Sequence, residues 1–88
     1  MIEGKTKRGF AYAIAEENID QEFLDALAEA EDGQPLKVSK ALRLLLGEEQ
    51  REKLYDYLRN DKGKVPIDAV MEAFYDILSN DGTGAKNS

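Results

Sequence analysis

The sequence predicts an all-α fold, a small bundle of about four helices with a short N-terminal extended or strand segment. Three observations carry that prediction. Apolar residues recur at steps of three and four through most of residues 19–78, the spacing of one helix face. Pro35 and Pro66 stand where proline is tolerated, in the first turn of a helix. Gly33, Gly47 and Gly63 fall between the periodic stretches and punctuate them. A chain of 88 residues has room for one core and no second lobe, since it buries only about 60–65% of the surface its unfolded form exposes. The expected organisation is a flexible N-terminus over residues 1–8, a single helical domain over residues 9–79 and a disordered tail over residues 80–88.

Ahead of the helices, Phe10, Tyr12 and Ile14 alternate with Gly9, Ala11, Ala13 and Ala15. Period two belongs to a strand, which must pair or lie extended across the bundle because a single strand does not stand alone. Alanine spacers suit a short helix equally well, so both readings stay open.

The first helix is expected over residues 20–31, with Ile19, Phe23, Leu24, Leu27 and Ala28 as its apolar stripe. Asp20 is its N-cap, because a carboxylate there accepts from the free N–H groups of the first turn; Glu22 adds favourable charge, and Gly33 stops the helix. The second opens at Pro35, runs through Leu36, Val38, Ala41, Leu42, Leu45 and Leu46, and ends at Gly47. Its stripe is wide enough to make it the most buried element. The third, over residues 48–59, places Glu48 and Glu49 at the positive end of its dipole and keeps Leu54, Tyr55, Tyr57 and Leu58 apolar. Asn60-Asp61-Lys62-Gly63 breaks it. The fourth, over residues 66–79, carries the cleanest period, Ile67, Val70, Met71, Phe74, Ile77 and Leu78.

Composition removes most of enzymology. Without His, Cys or Trp there is no imidazole base, no thiolate nucleophile, no Cys/His zinc site and no disulfide framework, so neither an enzyme nor a cofactor is expected. Twelve Lys and Arg against eighteen Asp and Glu leave a net charge of −6, which repels nucleic-acid phosphates and anionic lipid. No apolar run approaches the roughly 20 residues of a membrane helix, and the basic N-terminus has no apolar stretch behind it to act as a secretory signal. A cytoplasmic location is expected.

The charge is unevenly distributed. Residues 16–35 carry eight acids and no base, whereas residues 36–47 carry Lys37, Lys40 and Arg43 and no acid. Either the two segments lie against each other, within one chain or between copies in an oligomer, or both are solvated faces. Within the acidic segment Glu22, Asp25 and Glu29 share one side of the first helix, a spacing open to a hard cation or acid/base work. They are expected to face water, away from Phe23, Leu24 and Leu27.

The segment NDKGKVPIDAV resembles a calcium loop until its ligands are placed. With Gly63 at the invariant sixth position, positions 1, 3, 5 and 12 become Leu58, Asn60, Lys62 and Ala69, and the required carboxylates are missing. As a DNA-reading turn it fails as well, because the following helix carries Asp68, Glu72 and Asp76 and no base. What remains is a helix–turn–helix connection with Val65 packed down. Most aromatics fall on apolar stripes. Tyr12, on a strand that needs a partner, Tyr55 and Tyr75 are the candidate contact aromatics, since tyrosine offers apolar area with a wet hydroxyl. Lys37, Lys40 and Arg43 are the candidate charged contacts.

In order, GFAYAIAEENID, an acidic helix ending EAEDG, the run LLLGEEQREKLYDYL, the turn DKGKVP and an apolar last helix resemble the tail assembly chaperones of long-tailed phages and prophages of Gram-positive bacteria. The resemblance spans about residues 9–79. Its most specific piece is Leu45-Leu46-Gly47-Glu48-Glu49-Gln50 followed by Lys53-Leu54 and Asp61-Lys62-Gly63-Lys64-Val65; Pro66 departs from it where a Ser-like cap is expected. The resemblance implies a protein of the bacterial host cytoplasm that binds the tape measure protein and tail tube subunits during assembly and is absent from the virion. It also implies a longer frameshifted form, with which the Lys86-Asn87 ending is compatible. Two other classes fit the composition: a small acidic inhibitor that mimics nucleic acid, and a stand-alone protein-binding module of a mobile element.

Overall fold

In the computed structural model, which describes residues 1–31 and 35–80, the chain runs β1 (Ile2–Lys5), β2 (Ala11–Ile14), a 3₁₀ turn (Glu16–Asn18), α1 (Gln21–Glu31), α2 (Pro35–Leu46), α3 (Glu48–Leu58) and α4 (Ile67–Asn80). Four α-helices and a two-stranded antiparallel sheet at the N-terminus make up the described fold. Gly33 and the tail beyond Asn80, for which a helix stop and disorder were expected, lie outside the described residues.

The sheet answers the question of how the alternating aromatic segment finds a partner. Ile2 pairs with Ile14, Glu3 with Ala13, Gly4 with Tyr12 and Lys5 with Ala11. Residues 2–5 are therefore strand, where a flexible N-terminus over residues 1–8 was expected. The connection is a tight three-residue loop, Lys7-Arg8-Gly9. The Thr6 carbonyl accepts from Gly9 N–H at 2.9 Å, Thr6 N–H donates to the Phe10 carbonyl at 2.9 Å, and the buried Thr6 hydroxyl accepts from Phe10 N–H at 3.1 Å. Gly9 has φ +102°, the left-handed residue that closes such a loop without splaying the strands. Period two then turns Phe10, Tyr12 and Ile14 into the core, at 8%, 4% and 1% exposure.

Tyr12 lies over Gly4. A Cβ at residue 4 would fall 2.6 Å from Tyr12 Cζ, so the glycine is a matter of space. This burial corrects the expectation that Tyr12 is a contact aromatic: its strand partner comes from the same chain, and its ring fills the core.

Asp20 caps α1 as expected, its Oδ1 accepting from Phe23 N–H at 3.0 Å. The buried face of α1 is narrower than predicted: Phe23, Ala26 and Ala30 are buried, Leu27 is partly so, and Leu24 and Ala28 are exposed. Small residues at 26 and 30 let α1 run close along α2, and this close approach leaves Leu24 on the solvent side. On α2 the core positions are Val38, Ala41, Leu42, Leu45 and Leu46; on α3 they are Leu54 and Leu58; on α4 they are Ala69, Ala73, Phe74, Ile77 and Leu78.

Two sets of polar contacts tie the sheet to the helices. One stripe of α4, spaced by four, meets the hairpin: Glu72 accepts from Arg8 at 3.1 Å, Asp76 accepts from Lys7 N–H at 3.2 Å, and Asn80 donates to the Lys5 carbonyl at 2.7 Å. On the opposite edge, Gln50 of α3 bonds both backbone groups of Ala13. Two of the three acids that disqualify α4 as a DNA-reading helix, Glu72 and Asp76, thus hold the basic hairpin.

Candidate functional site

Where α2, α3 and α4 converge, the core does not close. Leu36, Val38 and Ser39 from α2, Tyr55 from α3, Val65 from the connecting turn, and Ile67, Val70 and Met71 from α4 line an open cavity of about 240 Å³. Two of its apolar residues stand almost free of the protein, Leu36 at 88% and Ile67 at 67% exposure. Exposed apolar side chains around one concavity make it the candidate docking surface of the fold. The volume is below the roughly 300–1,000 Å³ of small-molecule sites and suits one or two protruding side chains.

Local sequence explains the opening. Pro66 immediately precedes α4, its carbonyl accepting from Val70 N–H at 3.2 Å, and Ile67 is the first residue of the helix. Leu36 is likewise the second residue of α2. Between them the turn is stiffened by Asn60, whose side-chain oxygen accepts from Lys62 N–H and Lys64 N–H, each at 3.0 Å. Val65 is thereby held partly buried against the core.

One corner of the cavity is polar. Ser39 Oγ accepts from Arg51 Nη1 at 2.7 Å and from the Tyr55 hydroxyl at 3.0 Å, and the Arg51 guanidinium lies 5.5 Å from the Tyr55 ring centre. Arg51 also donates to Glu48 at 2.6 Å, while its Nε is buried without a hydrogen-bond partner.

The structure separates the six candidate contact residues. Tyr55 lines the cavity, half-buried, with its hydroxyl engaged. Tyr75 is 45% exposed on α4, its ring 5.9 Å from that of Phe74. Tyr12 is core. Lys37, Lys40 and Arg43 turn toward α1: Lys37 pairs with Glu29 at 3.7 Å, and Lys40 and Arg43 face Glu22, Asp25 and Glu29 across a polar cleft of about 460 Å³. The acidic and basic segments therefore lie against each other within one chain, and the carboxylate row looks onto bases as well as water. The alternating strand finds its partner, and the basic segment faces the acidic one, within one chain.

Leu36, Ile67, Val70 and Met71 were legible only as members of apolar stripes, and Val65 only as a residue packed down in the turn. No sequence pattern marks the groove, because its three walls come from segments up to 35 residues apart.

Among the described residues, no group of three or more Asp or Glu side chains is arranged to hold a metal, and no helix is long and apolar enough to cross a membrane. Comparison with protein-family models, with curated proteins and with solved structures finds no match to this chain.

Proposed function

We propose that this chain is a non-catalytic chaperone of phage or prophage tail assembly, which binds the tape measure protein and tail tube subunits in the cytoplasm of the bacterial host. The order of motifs over residues 9–79 supplies the assignment, and the apolar groove between α2, α3 and α4 is the observation that gives it a mechanism. On this reading the groove takes an apolar segment of the partner. A tape measure protein is long and rich in apolar residues, and an acidic subunit seated on each apolar segment keeps such a polymer dissolved until the tube forms around it.

The acidic-mimic reading is less well supported. A nucleic-acid mimic needs free carboxylates in an even array, whereas Glu29, Glu72 and Asp76 are engaged by Lys37, Arg8 and Lys7.

Coexpression with a tape measure protein from a phage tail cluster tests the proposal. Its soluble yield is expected to rise severalfold with this chain and to fall back with the Ile67→Glu variant. A yield that does not depend on the chain would overturn the assignment.

A further inference from the structure

We propose that β1 is a joint between two copies of this chain, which meet edge to edge, antiparallel and two-fold symmetric about Gly4, to make one continuous four-stranded sheet. Three observations carry it, and none of them comes from the groove.

Hydrogen-bond parity leaves β1 with groups to offer. Opposed residues of an antiparallel ladder alternate between pairs that exchange backbone bonds and pairs whose N–H and C=O groups point away. Thr6 N–H donates to the Phe10 carbonyl at 2.9 Å. In the register Lys5↔Ala11, Gly4↔Tyr12, Glu3↔Ala13, the pairs that point away are then Lys5 with Ala11 and Glu3 with Ala13. The helical amides agree, since Gln50 takes both backbone groups of Ala13 and Asn80 reaches the Lys5 carbonyl. On the β1 edge the Glu3 N–H, the Glu3 carbonyl and the Lys5 N–H remain without a partner among the described residues.

Charge identifies the occupant. Outward residues can bond only to outward residues, which leaves three ways for Glu3 and Lys5 to meet their counterparts in a second β1. Glu3 on Glu3 and Lys5 on Lys5 set like charges directly opposite, whereas Glu3 on Lys5 sets unlike charges opposite in both halves of the pair. In that register each Glu3 exchanges its backbone bonds with the other copy's Lys5, and Gly4, at the two-fold axis, brings no side chain. Asn80, exposed at the end of α4, yields the Lys5 carbonyl to the new bond.

Topology closes the assembly at two. Gln50 sits on the outer edge of β2 at Ala13, so contact between β1 of one copy and β2 of the next, which would run on into a filament, is blocked. The symmetric β1 pair remains.

The joint is shorter than a standard interface, so it is expected at high protein concentration. Sedimentation equilibrium of the full chain should show the mass rising from one copy toward two as concentration increases. Over the same series hydrogen exchange should slow at the Glu3 and Lys5 amides and stay unchanged at Gly4, whose amide is bonded within the hairpin. Salt should leave the unaltered pair in place, because backbone bonds hold it and charge sets its register. Glu3→Lys and Lys5→Glu, both at exposed positions, should each give a monomer at low salt that regains the pair at high salt. An equimolar mixture of the two variants should pair at low salt. A monomer at the highest concentration, or Glu3 and Lys5 amides indifferent to concentration, would overturn the proposal. So would a pair that Ile67→Glu abolishes and Glu3→Lys leaves intact, which would place the joint at the groove.

Discussion

The carboxamide of Gln50 occupies the place of a neighbouring strand on Ala13: its Oε1 accepts from Ala13 N–H at 2.9 Å and its Nε2 donates to the Ala13 carbonyl at 2.6 Å, while also reaching the Leu46 carbonyl at 2.8 Å. Across the sheet, Asn80 does the same for the Lys5 carbonyl. A two-stranded sheet has two open edges, and in this fold a helical amide closes part of each.

Gln50→Leu therefore strips both backbone groups of Ala13 of their partners. An unmade bond at a partly buried group costs about 1–3 kcal/mol, so the variant should melt several degrees lower, and the Ala13 amide should lose its protection from hydrogen exchange. Unchanged exchange at Ala13 would show that the bond carries no weight.

Gly4 and Tyr12 should behave as one unit. Gly4→Ala pushes a methyl into the Tyr12 ring and is expected to cost about 1–3 kcal/mol, the range for overpacking. In the Tyr12→Leu background that penalty should largely vanish, a coupling readable from a double-mutant cycle in urea. Additive losses would contradict the packing.

Burial separates two leucines that look alike in the sequence. Leu42→Ala, at a site with 0% exposure, should cost about 2–5 kcal/mol, as should Leu45→Ala and Phe74→Ala. Leu24→Ala, at 48% exposure, should stay within about 0.5 kcal/mol. Equal losses at Leu24 and Leu42 would restore the wider stripe.

That contrast marks how far the sequence could be read. The helices of Leu42 and Phe74 were legible to within a residue or two, because period and proline or glycine punctuation agree there. Leu24 was misplaced because Phe23 and Leu24 are neighbours about 100° apart on a helix, and only the close approach of Ala26 and Ala30 to α2 decides which of them is core. β1 was missed because IEGK is short and polar, and its pairing depends on Tyr12 lying over Gly4. The groove was not legible at all, since proximity between Leu36 and Ile67 is a property of the assembled bundle.

Reversal of Lys37, Lys40 and Arg43 to Glu sets like charges against Glu22, Asp25 and Glu29. Exposed pairs contribute about 0–1 kcal/mol each, so the variant should melt at a lower temperature at low ionic strength and regain much of the loss in high salt. Because the match is made within one chain, light scattering should give the same mass for the unaltered protein at every salt concentration. A mass that falls as salt rises would place the match between copies instead.

The most direct measurement is a heteronuclear NMR titration of the isotopically labelled chain with a purified apolar segment of a tape measure protein. The account predicts that the perturbed resonances cluster at Leu36, Ser39, Tyr55, Val65, Ile67 and Met71 and disappear from the titration of the Ile67→Glu variant. Perturbations confined to the α1–α2 cleft around Lys40 and Arg43, or none at saturating segment, would contradict it.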